Sequence, residues 1–253
     1  MNIESRTHRG QENKSLKSAF LPKSTKGNIV NATLTLRMGD EKSLKNMALV
    51  SQFTASMLDR GTKSMSRQQL KDEFDRLKAR VNVFGAGGQV NVSVQTTKDN
   101  LPAVMKIVAD VLKNPAFSEK EFEELRNEQL AGIEEQKSDP QALASNALSR
   151  HLNPYPKDDI RYVMTLEEEI EAIKSAKLED IKKFHAEFYG ANNSTLAVGG
   201  DFDEPAIKAQ VNKDFSKWNS KKSYSRIEDK YIDVPKTELN IETPDKANAI
   251  FLA

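Results

Sequence analysis

Val30, Ala32, Leu34 and Leu36 alternate with Asn31, Thr33 and Thr35, the two-residue period of a half-buried β-strand. Leu16 to Leu21 reads as a shorter strand, and Met38-Gly39-Asp40 turns the chain toward a helix over 42–59. A second helix over 66–79 carries Leu70, Phe74 and Leu77 on one face. Val81-Asn82-Val83 and Val90 to Val94 alternate on either side of Gly85-Ala86-Gly87-Gly88, which predicts a hairpin. Leu101, Val104, Ile107, Val108, Val111 and Leu112 then fall at helical spacing and form one apolar stripe. Ser118 with Glu121, and Thr165 with Glu168, have the form of capping boxes: the hydroxyl takes a free backbone N–H while the glutamate reaches back. Further helices are expected over 140–152, 165–173, 177–188 and 204–216, with a strand over 194–198.

This alternation predicts an α+β fold, an antiparallel sheet with helices packed on one face. Residues 1–14 lack apolar periodicity and read as a tail or linker, and 15–217 as one α+β unit. Residues 218–235 are polar and read as a connector. Over 236–253, Thr237–Thr243 and Ala247–Ala253 read as two opening strands of a second unit.

Composition removes several function classes. With 38 basic and 37 acidic residues the net charge is +1, without the basic excess of a nucleic-acid or anionic-membrane binder. No run approaches the roughly 18 apolar residues of a spanning helix. The absence of cysteine removes disulfides, thiolate metal sites and cysteine nucleophiles together. Residues 1–14 contain no apolar segment of the kind a signal peptide needs.

The three histidines, His8, His151 and His185, include no pair at metal-binding spacing. His185 and Glu187 are two apart and point to different faces of a helix, and His151 reads as a helix-end or core residue. No serine lies in a Gly-x-Ser-x-Gly elbow. Gly85 to Gly88 joins two strands and opens no helix, so it reads as a turn and not as a phosphate loop.

The segment from Ser51 to Thr62, Ser-Gln-Phe-Thr-Ala-Ser-Met-Leu-Asp-Arg-Gly-Thr, resembles the active-site helix of the insulinase-like (pitrilysin, M16) zinc peptidases, Ala-His-Phe-Leu-Glu-His-Met-Leu-Phe-Lys-Gly-Thr. Phe53, Met57, Leu58, Gly61 and Thr62 keep the frame. Gln52 and Ser56 stand at the histidine ligands and Ala55 at the glutamate base. Counting from Ser56 and anchoring on Asp139-Pro140, Gly132 stands at the third ligand, a glutamate. Arg150 to Tyr155, Phe184 to Asn193 and Ala197 to Asp203 resemble later family segments in order and spacing.

The resemblance implies a LuxS/M16-like metalloenzyme subdomain plus the start of its twin. It implies the non-catalytic, substrate-chamber half of a zinc metalloendopeptidase acting on peptides or unfolded segments, inactive alone. The zinc, which activates water for attack on a peptide carbonyl, is expected in a catalytic half on the same polypeptide or in a partner subunit. Peptide substrate and that half are the expected partners, with no nucleic acid and no membrane, and the expected location is the periplasm. The alternative is an assembly module with the same fold and no role in proteolysis. The adjacent Arg161 and Tyr162 are expected to serve a loop and not substrate.

Overall fold

The computed structural model describes residues 2–12, 16–243, 246–247 and 249–252. Six strands form a single sheet: β1 (His8–Glu12), β2 (Leu16–Pro22), β3 (Ile29–Arg37), β4 (Arg80–Ala86), β5 (Gln89–Thr97) and β6 (Ser194–Gly200). Eight α-helices are described: α1 (Ala48–Met57), α2 (Arg67–Arg76), α3 (Leu101–Lys113), α4 (Glu119–Gln136), α5 (Pro140–Leu152), α6 (Leu166–Ser175), α7 (Leu178–Phe188) and α8 (Glu204–Phe215).

The strand order is β1-β2-β6-β3-β5-β4. Alternation fixes which side chains face the helices. Leu34 lies between Val92 of β5 and Leu196 of β6, and Ala32 between Val94 and Val198. All six are buried, whereas the intervening Thr33, flanked by Ser93 and Ala197, is exposed with its neighbours. The stripe on α3 behaves as its spacing predicts, with Leu101, Val104, Ile107, Val108, Val111 and Leu112 all buried. One contiguous core runs from Leu16 to Phe215.

The sheet is antiparallel except where β6 enters between β2 and β3 and pairs parallel with β2. The α+β class holds, with one parallel pairing that the sequence does not reveal, because the sequence places β6 last and says nothing about where it inserts. The first helix is shorter than expected. Asp40 and Ser43 exchange backbone-to-side-chain hydrogen bonds at 2.7 and 2.9 Å, and Asn46 adopts φ 59°, so residues 41–46 form turns and α1 starts at Ala48. Gly39 at φ 69° lets Leu44 pack where a side chain would otherwise stand, 2.7 Å from an added Cβ.

Residues 1–14, expected as a tail, carry β1. It has no apolar face: only Glu12 is buried. Backbone pairing to β2 holds it, together with His8 on Glu204 (2.6 Å) and Glu12 accepting from Ser18 (2.9 Å). The expected starting residue Ser15 of the main unit lies outside the described residues.

The connector over 218–235 has neither helix nor strand, yet it is tied down as a strap. The Ser220 N–H donates to Asn192 Oδ1 (2.8 Å), the Lys221 N–H to the Glu187 carbonyl (2.9 Å) and the Ser225 N–H to the Gly39 carbonyl (3.1 Å). Arg161 Nη1 donates to the Glu228 carbonyl (2.8 Å), and His151 Nε2 to that of Pro235 (2.9 Å). The strands expected over 237–243 and 247–253 do not form among the described residues; Asn248 and Ala253 lie outside these. Leu239, Ile241 and Phe251 are exposed, because no strand lies alongside to take their backbone groups or side chains.

Candidate functional site

α1 is anchored by Phe53 and Met57, each 1% exposed, and Phe53 meets Phe122 of α4 edge-on at 6.1 Å. Its buried hydroxyls are consumed within the helix: Thr54 donates to the Val50 carbonyl (2.6 Å) and Ser51 to that of Ala48 (3.0 Å). Gln52 and Ser56, one helical turn apart, share a half-buried stripe. Ala55 is 0% exposed and closes directly on β4: a Cβ added at Gly85 would lie 3.1 Å from the Ala55 Cβ. Gly132 lies within α4, and an added Cβ there would meet nothing within 4 Å.

These four positions present an amide, a methyl, a hydroxyl and a hydrogen, with neither imidazole nor carboxylate, so they do not fit a catalytic zinc. Among the described residues, no group of three or more His, Asp or Glu converges closely enough to hold a metal ion.

What α1 does border is an open strand edge. β4 is the last strand of the sheet, so one side of its backbone is unpaired. A cleft of about 780 Å³ runs beside it, with Arg80 to Val83 on one wall and Leu70, Lys71 and Phe74 of α2 on the other. Behind the cleft, Arg60, 8% exposed, pairs with Glu128 and lies 3.6 Å from Glu121, which also takes Arg67 at 3.4 Å. Ser118 does accept from the Glu121 N–H (3.3 Å), but the Glu121 carboxylate faces these arginines. The described geometry therefore shows a full capping box at Thr165 and at Ser66, and only its first half at Ser118.

The histidines are separated and engaged. His185 donates from Nε2 to the Leu112 carbonyl (2.8 Å), which fixes its tautomer, and rests edge-on against Phe117 at 5.2 Å. Burial pushes its pKa below the usual histidine value. Arg161 and Tyr162 serve loop structure. Arg161 holds Asp159 (2.8 Å), Glu41 and the strap carbonyl of Glu228, and it covers the Tyr155 ring at 4.1 Å. Tyr162 donates to Glu168 (2.8 Å), whose carboxyl is drawn down to about 2 by Lys157, the Thr165 N–H and Tyr162.

A family model described as insulinase (peptidase family M16) matches residues 19–156, and one described as the peptidase M16 inactive domain matches 175–252. Among curated proteins, the chain is similar to a non-peptidase homolog, YmxG, of Helicobacter pylori, with 23% identity over 168 residues, 66% of this chain and 38% of that protein. Among solved structures, it superposes on a peptidase M16 inactive domain from Pseudomonas fluorescens with TM-score 0.74 and 22% identity, covering 88% of this chain and 53% of that one. The first half of the periplasmic protease PqqL from Escherichia coli gives TM-score 0.70 and 21% identity over 88% of this chain and 48% of that one. The chain thus spans about half, or less, of the length of the proteins it matches.

Proposed function

The chain belongs to the insulinase family of peptidases, M16, and from that membership we propose that it forms part of the non-catalytic, substrate-chamber half of a zinc metalloendopeptidase. Gln52, Ala55, Ser56 and Gly132 are the degenerate counterparts of the zinc ligands and base. Zinc and the reacting water belong to a catalytic half, in the same polypeptide or in a partner subunit. The role left to this chain is to hold extended peptide or unfolded polypeptide. The observation that carries the reading is the unpaired edge of β4, opening into a cleft whose other wall is α2. An extended segment adding to that edge gains backbone hydrogen bonds without regard to its sequence. Held in register, it is positioned for chemistry supplied elsewhere. The periplasm is the proposed location, by likeness to PqqL.

Hydrogen exchange tests this. An unfolded polypeptide added to the chain should slow exchange at amides of 80–86 and leave those of β1 unchanged. Adding a catalytic M16 half should then give cleavage that neither component shows alone. Unchanged β4 exchange, with cleavage by the catalytic half indifferent to this chain, would sink the proposal. The non-peptidase description of the Helicobacter relative supports a second reading, an assembly module without a proteolytic role. That reading predicts association with a partner and no response of β4 to unfolded polypeptide.

A further inference from the structure

The sheet face turned away from the helices carries no carboxylate on any of its six strands. Following the register, its charged residues are Arg9, Lys17, Arg37 and Arg80. Composition does not explain this, because the chain as a whole has 38 basic and 37 acidic residues. Arg9 is offset by Glu4 at 3.0 Å. Lys17 and Arg80 are exposed and have no ion-pair partner among the described residues, and Arg37 donates to Thr195 (2.6 Å). Thr33, Asn82, Ser93 and Gln95 offer exposed hydroxyl and amide groups between these cations.

At the Arg37 end of the face, a cavity of about 510 Å³ lies between the strap and the β4–β5 turn. Its only charged lining residues are Arg37 and Arg226, and Arg226 has no ion-pair partner among the described residues. Tyr224 and Ser225 of the strap and Gly87 and Gly88 of the turn also line it. Both glycines adopt positive φ, 59° and 81°; a Cβ at Gly87 would meet nothing within 4 Å, whereas one at Gly88 would run into Leu44 and the Met38 carbonyl.

We propose that this face and cavity bind an acidic polypeptide segment, lying extended across the sheet with one carboxylate seated between Arg37 and Arg226. Arg37 and Arg226 both line this cavity, and a guanidinium suits a carboxylate, which accepts bidentate hydrogen bonds. A single-stranded nucleic acid is the weaker fit: such sites stack bases on several aromatics, and this face exposes one, Phe84. This site is separate from the β4 edge, so the inference goes beyond the reading above and rests on it only in treating the bound segment as substrate.

The experiment measures fluorescence anisotropy of chain 1–253 with a labelled glutamate-rich peptide of roughly eight residues, long enough to cross the six strands. A glutamine-rich peptide, a lysine-rich peptide and oligo(dT) of equal length serve as comparisons. Binding is expected for the glutamate peptide alone. It should weaken on going from about 50 to about 500 mM salt and by about tenfold in Arg226→Gln. Arg226 is an exposed strap residue, so that variant reads the contact without disturbing the core. Arg37→Gln, checked for native unfolding, should lose a similar factor. Equal binding of the glutamate and glutamine peptides, preference for oligo(dT), or an Arg226→Gln variant that binds like the parent would each overturn the proposal. Acidic-peptide binding dependent on Arg226 but without protection of β4 would leave this inference standing and remove the edge-pairing one. Protection of β4 by a glutamine peptide, indifferent to Arg226, does the reverse.

Discussion

Ala55→Glu, which places a glutamate where we propose that the peptidase base is replaced, should damage the fold. Ala55 is fully buried, and its Cβ is 3.1 Å from where a Gly85 side chain would begin. A glutamate brings a carboxyl group into this helix–strand contact. The atoms nearest the contact on the strand side, the Gln89 carbonyl and the Val90 side chain, carry no positive charge. An unpaired buried charge costs roughly 3–5 kcal/mol, against a total stability of about 5–15 kcal/mol. Part of that cost is avoided if the carboxyl takes a proton, so its pKa should rise and the penalty should shrink as pH falls through the raised value. Urea unfolding is convenient to follow, because the single tryptophan, Trp218, packs partly on the core beside Phe215 at 6.0 Å. With a slope of about 2–3 kcal/mol/M, the midpoint should fall by at least about 1 M at neutral pH. Ser56→Glu, one residue on and half-buried, should cost under about 1 kcal/mol. If Ala55→Glu unfolds within about 0.5 kcal/mol of the parent at unchanged slope, the closed contact between α1 and β4 is wrong.

The triple variant Gln52→His, Ser56→His, Gly132→Glu omits the buried position and should take up zinc by equilibrium dialysis where the parent takes none. A folded triple variant with no zinc would count against the register that places Gly132 at the third ligand. Tyr189 is 2% exposed and its hydroxyl has no partner among the described residues, so Tyr189→Phe should stabilise by about 1–3 kcal/mol in urea; a loss of stability would mean the hydroxyl is bonded. His185 has a depressed pKa in the fold, so the unfolded chain takes up its proton first. Its contribution is intact above the unfolded value near 6.5 and declines as pH falls from there toward the native value. Unfolding free energies across this range should fall more steeply for the parent than for His185→Gln; parallel curves would contradict it.

Periodicity was a good guide wherever one face of an element is buried. The stripe on α3, the alternation in β3 and the β4–β5 hairpin are local patterns, and their side chains sit where the patterns put them. β1 escaped because it is an edge strand without an apolar face, stabilised by backbone pairing and by partners remote in sequence. Glu121 has the spacing of a capping box but faces Arg60 and Arg67, since a charge pair brought together by packing of α1, α2 and α4 outcompetes a local contact. The proposed motif positions on α1 rest only on the family frame that Phe53, Met57 and Gly61 preserve. Nothing in the residues themselves marks Ala55 as the point where α1 closes on Gly85. Arg37 and Arg226 were not legible as a pair at all, because the strap that joins them has no period to read.

The insertion of β6 between β2 and β3 orders events during synthesis. β3, β4 and β5 are consecutive and can pair as soon as residue 97 has emerged, while β1 and β2 can form only a hairpin of their own. The two pieces have no direct hydrogen bonds to each other; β6 is the strand that joins them, and it is made about a hundred residues later. Until then the growing chain carries two open edges besides those of β1 and β4, at β2 and at β3, each with apolar residues on one face. Closing so long a loop is slow, and exposed strand edges recruit other chains while they wait. Refolding should therefore be limited by docking of β6, and chains cut before residue 194 should need chaperone protection to remain in solution.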